Sequence, residues 1–345
     1  MIKRKTLGIL IPYYKETEEQ IKCLLDSIKI QQNVDFEDIK IIMCGDGPDA
    51  TRFDLSKFKA LYPFEIKDIR TEDKIGVSAC RNTCLDNCNT DYVMWCDADD
   101  MFYNCCGLWM IFNEMYQGFD SLTSTFIVEF HDKDGNVAYQ NKENDVVFVH
   151  GKVHNRYFLL KEDIRWNPEL QIHEDSYFNI QCRTLAGERF KYLPASFYMW
   201  KWNENSVSRR DPKYILKTYQ MLIDSMDALV EVFLNKGKIE LAQQHATQMI
   251  YDTYFTLNCP DWLNIGNQEY RDTVENRFTD FYYKYKNLFD TAHENMKKSA
   301  IAGIKNRLFM ENAMFLEKIT FEQWIKQIED KRDAKSNQED EKCLI

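Results

Sequence analysis

The chain has 345 residues, 44% of them apolar and 29% charged. That balance suits a globular protein of about two domains and argues against a mostly disordered chain. The formal net charge of −11 gives no footprint of a non-specific nucleic-acid binder, which carries a net basic surface, and no apolar run reaches the roughly 18 residues of a membrane-spanning helix.

The first half alternates between two kinds of segment. Thr6–Pro12 is an apolar run of strand length, and it lacks the small-residue cleavage site of a signal peptide. Glu18–Gln31 carries Ile21, Leu24, Leu25 and Ile28 at helical spacing. Asp38–Cys44 predicts a second strand, closed by Gly45-Asp46-Gly47-Pro48, and Phe64–Arg70 a third. Val77–Cys88 predicts a helix, and Asp91–Cys96 a fourth strand, apolar enough inside to be central. A helix around Leu108–Tyr116 and a strand at Ser121–Phe130 follow. Asp132-Lys133-Asp134-Gly135-Asn136 predicts the turn of a hairpin returning through Val146–Val149. Strands alternating with helices imply an α/β fold with a mostly parallel sheet.

Past Asp211 glycine becomes rare and long amphipathic stretches take over: Tyr214–Leu234, Ile239–Leu257, Gln268–Phe289 and Ala300–Leu316, with Pro260 breaking the second from the third. The expected organisation is an α/β domain over residues 1–211 and a mostly helical region over 212–331. A charged, flexible tail is expected over 332–345, with fraying through Asp330–Lys342. Tyr and Phe in the helical region read as core and as a homodimer surface. The eleven cysteines are scattered. Cys80, Cys84 and Cys88 share one helical face and read as small buried thiols packing on the sheet, because a metal site there lacks a fourth ligand. With no secretion signal read at Met1–Ile11, the expectation from this cysteine usage is a reducing, cytoplasmic compartment.

The chemistry concentrates at Asp97-Ala98-Asp99-Asp100, directly after the fourth strand. Carboxylates gathered at the carboxyl end of a central strand repel one another, and a hard divalent cation removes that cost. Ligands of open α/β sheets sit at this edge, so Mg2+ or Mn2+ holding a diphosphate is the expected occupant. Asp46 also ends a strand. Its flanking glycines permit close backbone approach to a ligand, although the same residues suit an ordinary turn.

These segments, taken in order, resemble glycosyltransferase family 2, whose fold is the Rossmann-like GT-A α/β domain. The start Ile9-Leu10-Ile11-Pro12-Tyr13-Tyr14-Lys15-Glu16, the segment Gly76-Val77-Ser78-Ala79-Cys80-Arg81-Asn82, the strand plus acidic quartet, Gly151-Lys152-Val153-His154-Asn155-Arg156, and His173-Glu174-Asp175-Ser176-Tyr177-Phe178 follow the family's order across Leu7–Arg209. The resemblance implies an inverting, metal-dependent glycosyltransferase that takes a nucleotide sugar, usually a UDP-sugar. It gives Asp97 to the ribose, Asp99 to the metal bridging the diphosphate, Asp46 to the base, and Pro12, Tyr14, Glu16 and Ala98 to the nucleotide pocket. Arg81 is expected on donor phosphates or sugar, and Asp175 is the catalytic base.

A single base opposite the leaving group suffices for inversion. Glu174 competes with Asp175 for that role, and both also suit the acidic first turn of a helix. Lys74 is a candidate phosphate contact and His173 a further metal or diphosphate contact. Lys201 or Arg209 is a candidate phosphate clamp, and of Trp200 and Trp202 one is expected to stack on a sugar while the other packs inward. A sugar-phosphate nucleotidyltransferase would carry a glycine-rich basic loop after the first strand, where this chain has Tyr13-Tyr14-Lys15-Glu16-Thr17. A non-catalytic nucleotide-binding module is the third reading. The acceptor, whether glycan, protein or another hydroxyl-bearing molecule, is not written in these motifs.

Overall fold

The computed structural model describes residues 4–204, 218–258, 268–310 and 319–343, with the side chains of 308–310 and 333–343 excepted. The chain divides into two compact units, Met1–Arg209 and Arg210–Ile345.

The first unit is an α/β domain. It opens with β1 (Leu7–Tyr13), buried along its whole length, as befits a strand covered on both faces. Helix α1 (Glu18–Lys29) starts at a capping box in which Thr17 and Gln20 each bond the other's backbone N–H. Ile21, Leu24, Leu25 and Ile28 face the sheet. There follow β2 (Ile39–Gly45), α2 (Leu55–Leu61) capped by Asp54, β3 (Glu65–Arg70), α3 (Val77–Asp86) and β4 (Tyr92–Trp95). Next come β5 (Met101–Phe102), α4 (Gly107–Gln117), β6 (Ser121–His131), β7 (Val137–Lys142) and β8 (Lys152–Asn155). The unit closes with α5 (Arg156–Lys161), α6 (Glu174–Ala186) and β9 (Phe190–Trp200).

The strands form one nine-stranded sheet in the order β3-β2-β1-β4-β8-β6-β9-β5, with β7 pairing to β6. The four strands β3, β2, β1 and β4 run parallel. Leu7 is level with both Ile39 and Tyr92, so the carboxyl ends of β1, β2 and β4 emerge on one edge. There the chain order reverses across β1, the position where open α/β sheets bind ligands. Tyr13-Tyr14, Gly45-Asp46 and Cys96-Asp97 leave the sheet side by side.

Two expectations change. The hairpin returns immediately through Val137–Lys142, not through Val146–Val149, which lies outside every strand. Lys152–Asn155 is a strand between β4 and β6. The cysteine reading holds: Cys44, Cys80, Cys84 and Cys88 are buried free thiols packed in one cluster with Leu10, Val93 and Trp95.

The second unit is helical: α7 (Tyr219–Asn235), α8 (Ile239–Asn258), α9 (Gln268–Thr291), α10 (Glu294–Met310) and α11 (Phe321–Cys343). From Met249 to Asn258 every residue of α8 is buried, which marks it as this unit's central helix. Tyr254, Phe278, Phe281, Phe289 and Trp324 fill the core, so the aromatic richness serves packing. Helix α11 continues to Cys343, across the charged stretch where fraying was expected. No described helix is long and apolar enough to cross a membrane.

Candidate active site

The site is built where β1, β2 and β4 end. After β2, Gly47 adopts φ of +84°, and a Cβ there would sit 2.9 Å from the Lys74 backbone nitrogen. Only glycine permits that approach without strain. It brings the Asp46 carboxylate under the loop entering α3, where Oδ1 accepts from the N–H groups of Ile75 at 2.7 Å and Gly76 at 3.1 Å. Asp46 therefore fixes the start of the helix that carries Arg81.

Arg81 lies one turn into α3 with its side chain only 4% exposed. Its Nη1 donates to Asp175 Oδ1 at 2.7 Å and to Glu174 Oε1 at 3.3 Å, and its Nη2 to Asp97 Oδ1 at 3.2 Å. The guanidinium rests on the Trp166 ring, 4.3 Å from its centroid. The neighbouring Asn82 holds that ring in place by bonding both the N–H and the C=O of Trp166, and Phe178 of α6 stacks on it at 4.1 Å. Arg81, expected on the donor, bonds three carboxylates from two elements. Trp166 and Asn82 carried no signal of this role in the sequence.

Glu174 and Asp175 open α6, where the exposed N–H groups favour negative charge. His173, just before them, sits in the left-handed region at φ of +65°, a costly conformation for a non-glycine residue and one that clusters at functional sites. The Asp175 carboxylate is held at both oxygens, Oδ1 by Arg81 and Oδ2 by the Val149 N–H at 3.1 Å. Burial pushes its pKa up while Arg81 pulls it down, and the net direction is upward. Glu174 is pushed up to about 7, by burial first and by Asp175 second. Lys152, buried beneath this pair, is pushed down to about 8 by desolvation.

The acidic turn after β4 faces the same place. Asp100 is fully buried. It accepts from Tyr198 Oη at 2.7 Å and from the Lys201 N–H at 3.0 Å, with His150 Nδ1 at 3.5 Å. Tyr198 in turn accepts from the Asp97 N–H at 3.1 Å. Burial, then the charges of Asp97 and Asp99, push the Asp100 carboxyl well above its usual range. Ligand atoms of Asp97, Asp100 and His150 lie within 4.8 Å of one another. Carboxylate oxygens with an imidazole form a donor set that Mn2+ or Mg2+ accepts, and a cation relieves the repulsion that raises Asp100. His150 was not foreseen, because nothing in a lone histidine after an apolar run marks it. It lies among Phe126, Phe148, Tyr198 and Trp200.

Asp99 accepts from Asn203 Nδ2 at 2.7 Å. Glu16 takes the Tyr14 N–H at 2.6 Å; burial raises its pKa, and the charges of Asp99 and Asp97 add to the effect. Pro12 and Ala98 are buried at the same edge. Lys74 is exposed and lies 4.0 Å from the centre of the Tyr14 ring. Trp200 packs inward on Phe148 and His150. Trp202 stacks on His131 at 4.6 Å, and its backbone N–H donates to Glu129 Oε1 at 3.1 Å. Lys201 points its amine at Cys23 Sγ, 3.7 Å away. Arg209 lies outside the described residues. His173 is not among the groups that gather around Asp97, Asp100 and His150.

Comparison with known proteins bears on the family and the fold. A glycosyltransferase, GlyA of Streptococcus pneumoniae, is 26% identical over 265 residues, 69% of this chain; the chain spans 36% of that relative's length. TarS of S. aureus matches with a TM-score of 0.56 at 15% identity, covering 84% of this chain and 50% of that one. Its 1–349 fragment in complex with UDP-GlcNAc matches at a TM-score of 0.60 and 15% identity over 87% of this chain and 92% of that one; at such identity the likeness is one of fold. Residues 8–193 match the family described as Glycosyl transferase family 2, and the chain belongs to that family.

Proposed function

We propose that this protein transfers a sugar from a UDP-sugar to an acceptor hydroxyl with inversion at the anomeric carbon. The observation that carries the reading is Arg81, a single buried guanidinium that ties Asp97 of the strand-end turn to Asp175 at the start of α6. It sets a candidate base beside the residues suited to a nucleoside diphosphate. Asp46, Pro12, Tyr14 and Glu16 bind the nucleoside, and Asp97 takes the ribose. Asp97 and Asp99, with Asp100 and His150, would hold Mn2+ or Mg2+. A cation bound there supplies charge neutralisation for the diphosphate.

Asp175 takes the acceptor's hydroxyl proton as that oxygen bonds to the anomeric carbon. The bond from that carbon to the diphosphate oxygen breaks on the opposite face, and UDP leaves. Arg81 opposes the rise that burial imposes on the Asp175 pKa, and the Val149 N–H fixes the direction of its oxygens. A base of this kind contributes roughly 10²–10⁴-fold.

The S. aureus neighbour's complex with UDP-GlcNAc makes that donor the first to test. The test is UDP release from a panel of UDP-sugars, with Mn2+ and a mixture of candidate acceptors, for wild type and Asp175→Asn. The expected result is turnover by wild type, lowered at least a hundredfold in the variant, with UDP binding retained. Metal-dependent UDP binding without turnover by either protein contradicts the reading and favours a non-catalytic module.

A further inference from the structure

The segment Val146–Val149 was expected to be a strand, and its backbone groups go elsewhere. The peptide unit joining Phe148 to Val149 has both ends engaged. Its C=O accepts from Lys152 Nζ and from Asn179 Nδ2, the latter at 3.0 Å. Its N–H donates to Asp175 Oδ2 at 3.1 Å. A peptide is planar, so fixing the carbonyl fixes the direction of the N–H, and a cation on the carbonyl polarises the group into a stronger donor.

The clamp closes on itself. Asn179 and Asp175 are four residues apart on α6, and therefore on one face; both hold the same peptide. Asn179 is buried. Its Nδ2 bonds the carbonyls of both Val147 and Phe148, while its Oδ1 is buried with no partner. Burying an unused acceptor costs free energy, which marks the amide as present for its donors. Lys152 is 3% exposed, and the compensating charge is Asp145 at 3.6 Å. Asp145 also caps the N–H groups of Val147 and Phe148 at 2.9 and 2.8 Å.

We propose that Lys152 and Asn179 are positioning residues that aim the base, acting on Asp175 through the Phe148–Val149 peptide. The proposal rests on the reading of Asp175 as the base. Neither side chain needs to touch donor or acceptor. Their loss therefore lowers kcat and leaves substrate binding alone.

The experiment compares wild type, Asn179→Ala, Lys152→Met and Asp175→Asn in the full chain. It measures kcat and KM with UDP-GlcNAc or whichever UDP-sugar turns over. UDP binding stoichiometry corrects for the folded fraction, and the 15N-resolved amide proton of Val149 reports its hydrogen bond directly. Asn179→Ala is expected to lower kcat on the order of tenfold, with KM for donor and acceptor within about twofold and the Val149 amide proton moved upfield. Lys152→Met is expected to do the same; should it fail to fold, Asn179→Ala alone decides. A wild-type kcat and an unmoved Val149 proton in folded Asn179→Ala, alongside an inactive Asp175→Asn, overturn the clamp and leave the base reading standing. Full activity of Asp175→Asn removes the base reading itself, and the proposal with it.

Discussion

Arg81 carries most of the electrostatic organisation at this site. Three carboxylates drawn from the strand-end turn and α6 would repel if buried alone, and the guanidinium among them converts repulsion into orientation. The compensation is unequal. Glu174 receives the longer contact from Arg81, 3.3 Å against 2.7 Å for Asp175, and it is Glu174 that is pushed up to about 7. The folded state therefore holds a proton that the unfolded chain releases near the ordinary glutamate value, and stability falls as pH rises from about 4.5 to about 7. Glu174→Gln removes that slope. Denaturant unfolding of both proteins across this range is expected to show the wild type losing about 2 kcal/mol relative to the variant; parallel stability curves contradict the assignment.

The elements that make the edge are β1, β2, β4 and the loop into α3, and their alignment depends on one turn. Gly47→Ala forces a Cβ against the Lys74 backbone in a left-handed conformation. It is expected to cost about 1–2 kcal/mol of stability in urea unfolding and to weaken UDP binding through displaced Asp46; an unchanged UDP affinity argues against Asp46 in the nucleoside site. These same elements were the legible ones. Their apolar runs are continuous because both faces are covered, and the acidic turn after β4 declares itself by its position. Strand β7, by contrast, is a largely exposed edge strand whose sequence, Val-Ala-Tyr-Gln-Asn-Lys, has no buried face to write an apolar pattern. The apolar Val146–Val149 imitates a strand, yet its polar groups serve Asn179 and Asp175. His150 and Trp166 act through contacts made only when distant elements meet, which no local pattern records.

Across the whole molecule, the sign of the charge sets the problem that the site must solve. The chain carries a net charge of −11, and of its acidic residues Glu16, Asp97, Asp99, Asp100, Glu174 and Asp175 are at this mouth. A nucleoside diphosphate is repelled by such a surface, and a divalent cation at the edge of the sheet reverses that locally. Everything proposed for the reaction follows from the cation and the nucleotide meeting beside Arg81 and Asp175. The direct measurement is a crystal structure of this chain with UDP and Mn2+, with the metal located by its anomalous signal. The account predicts a manganese peak against Asp97 and Asp99, the diphosphate upon it and the base towards Asp46. A manganese peak remote from these aspartates, or UDP bound away from the carboxyl ends of β1, β2 and β4, contradicts it.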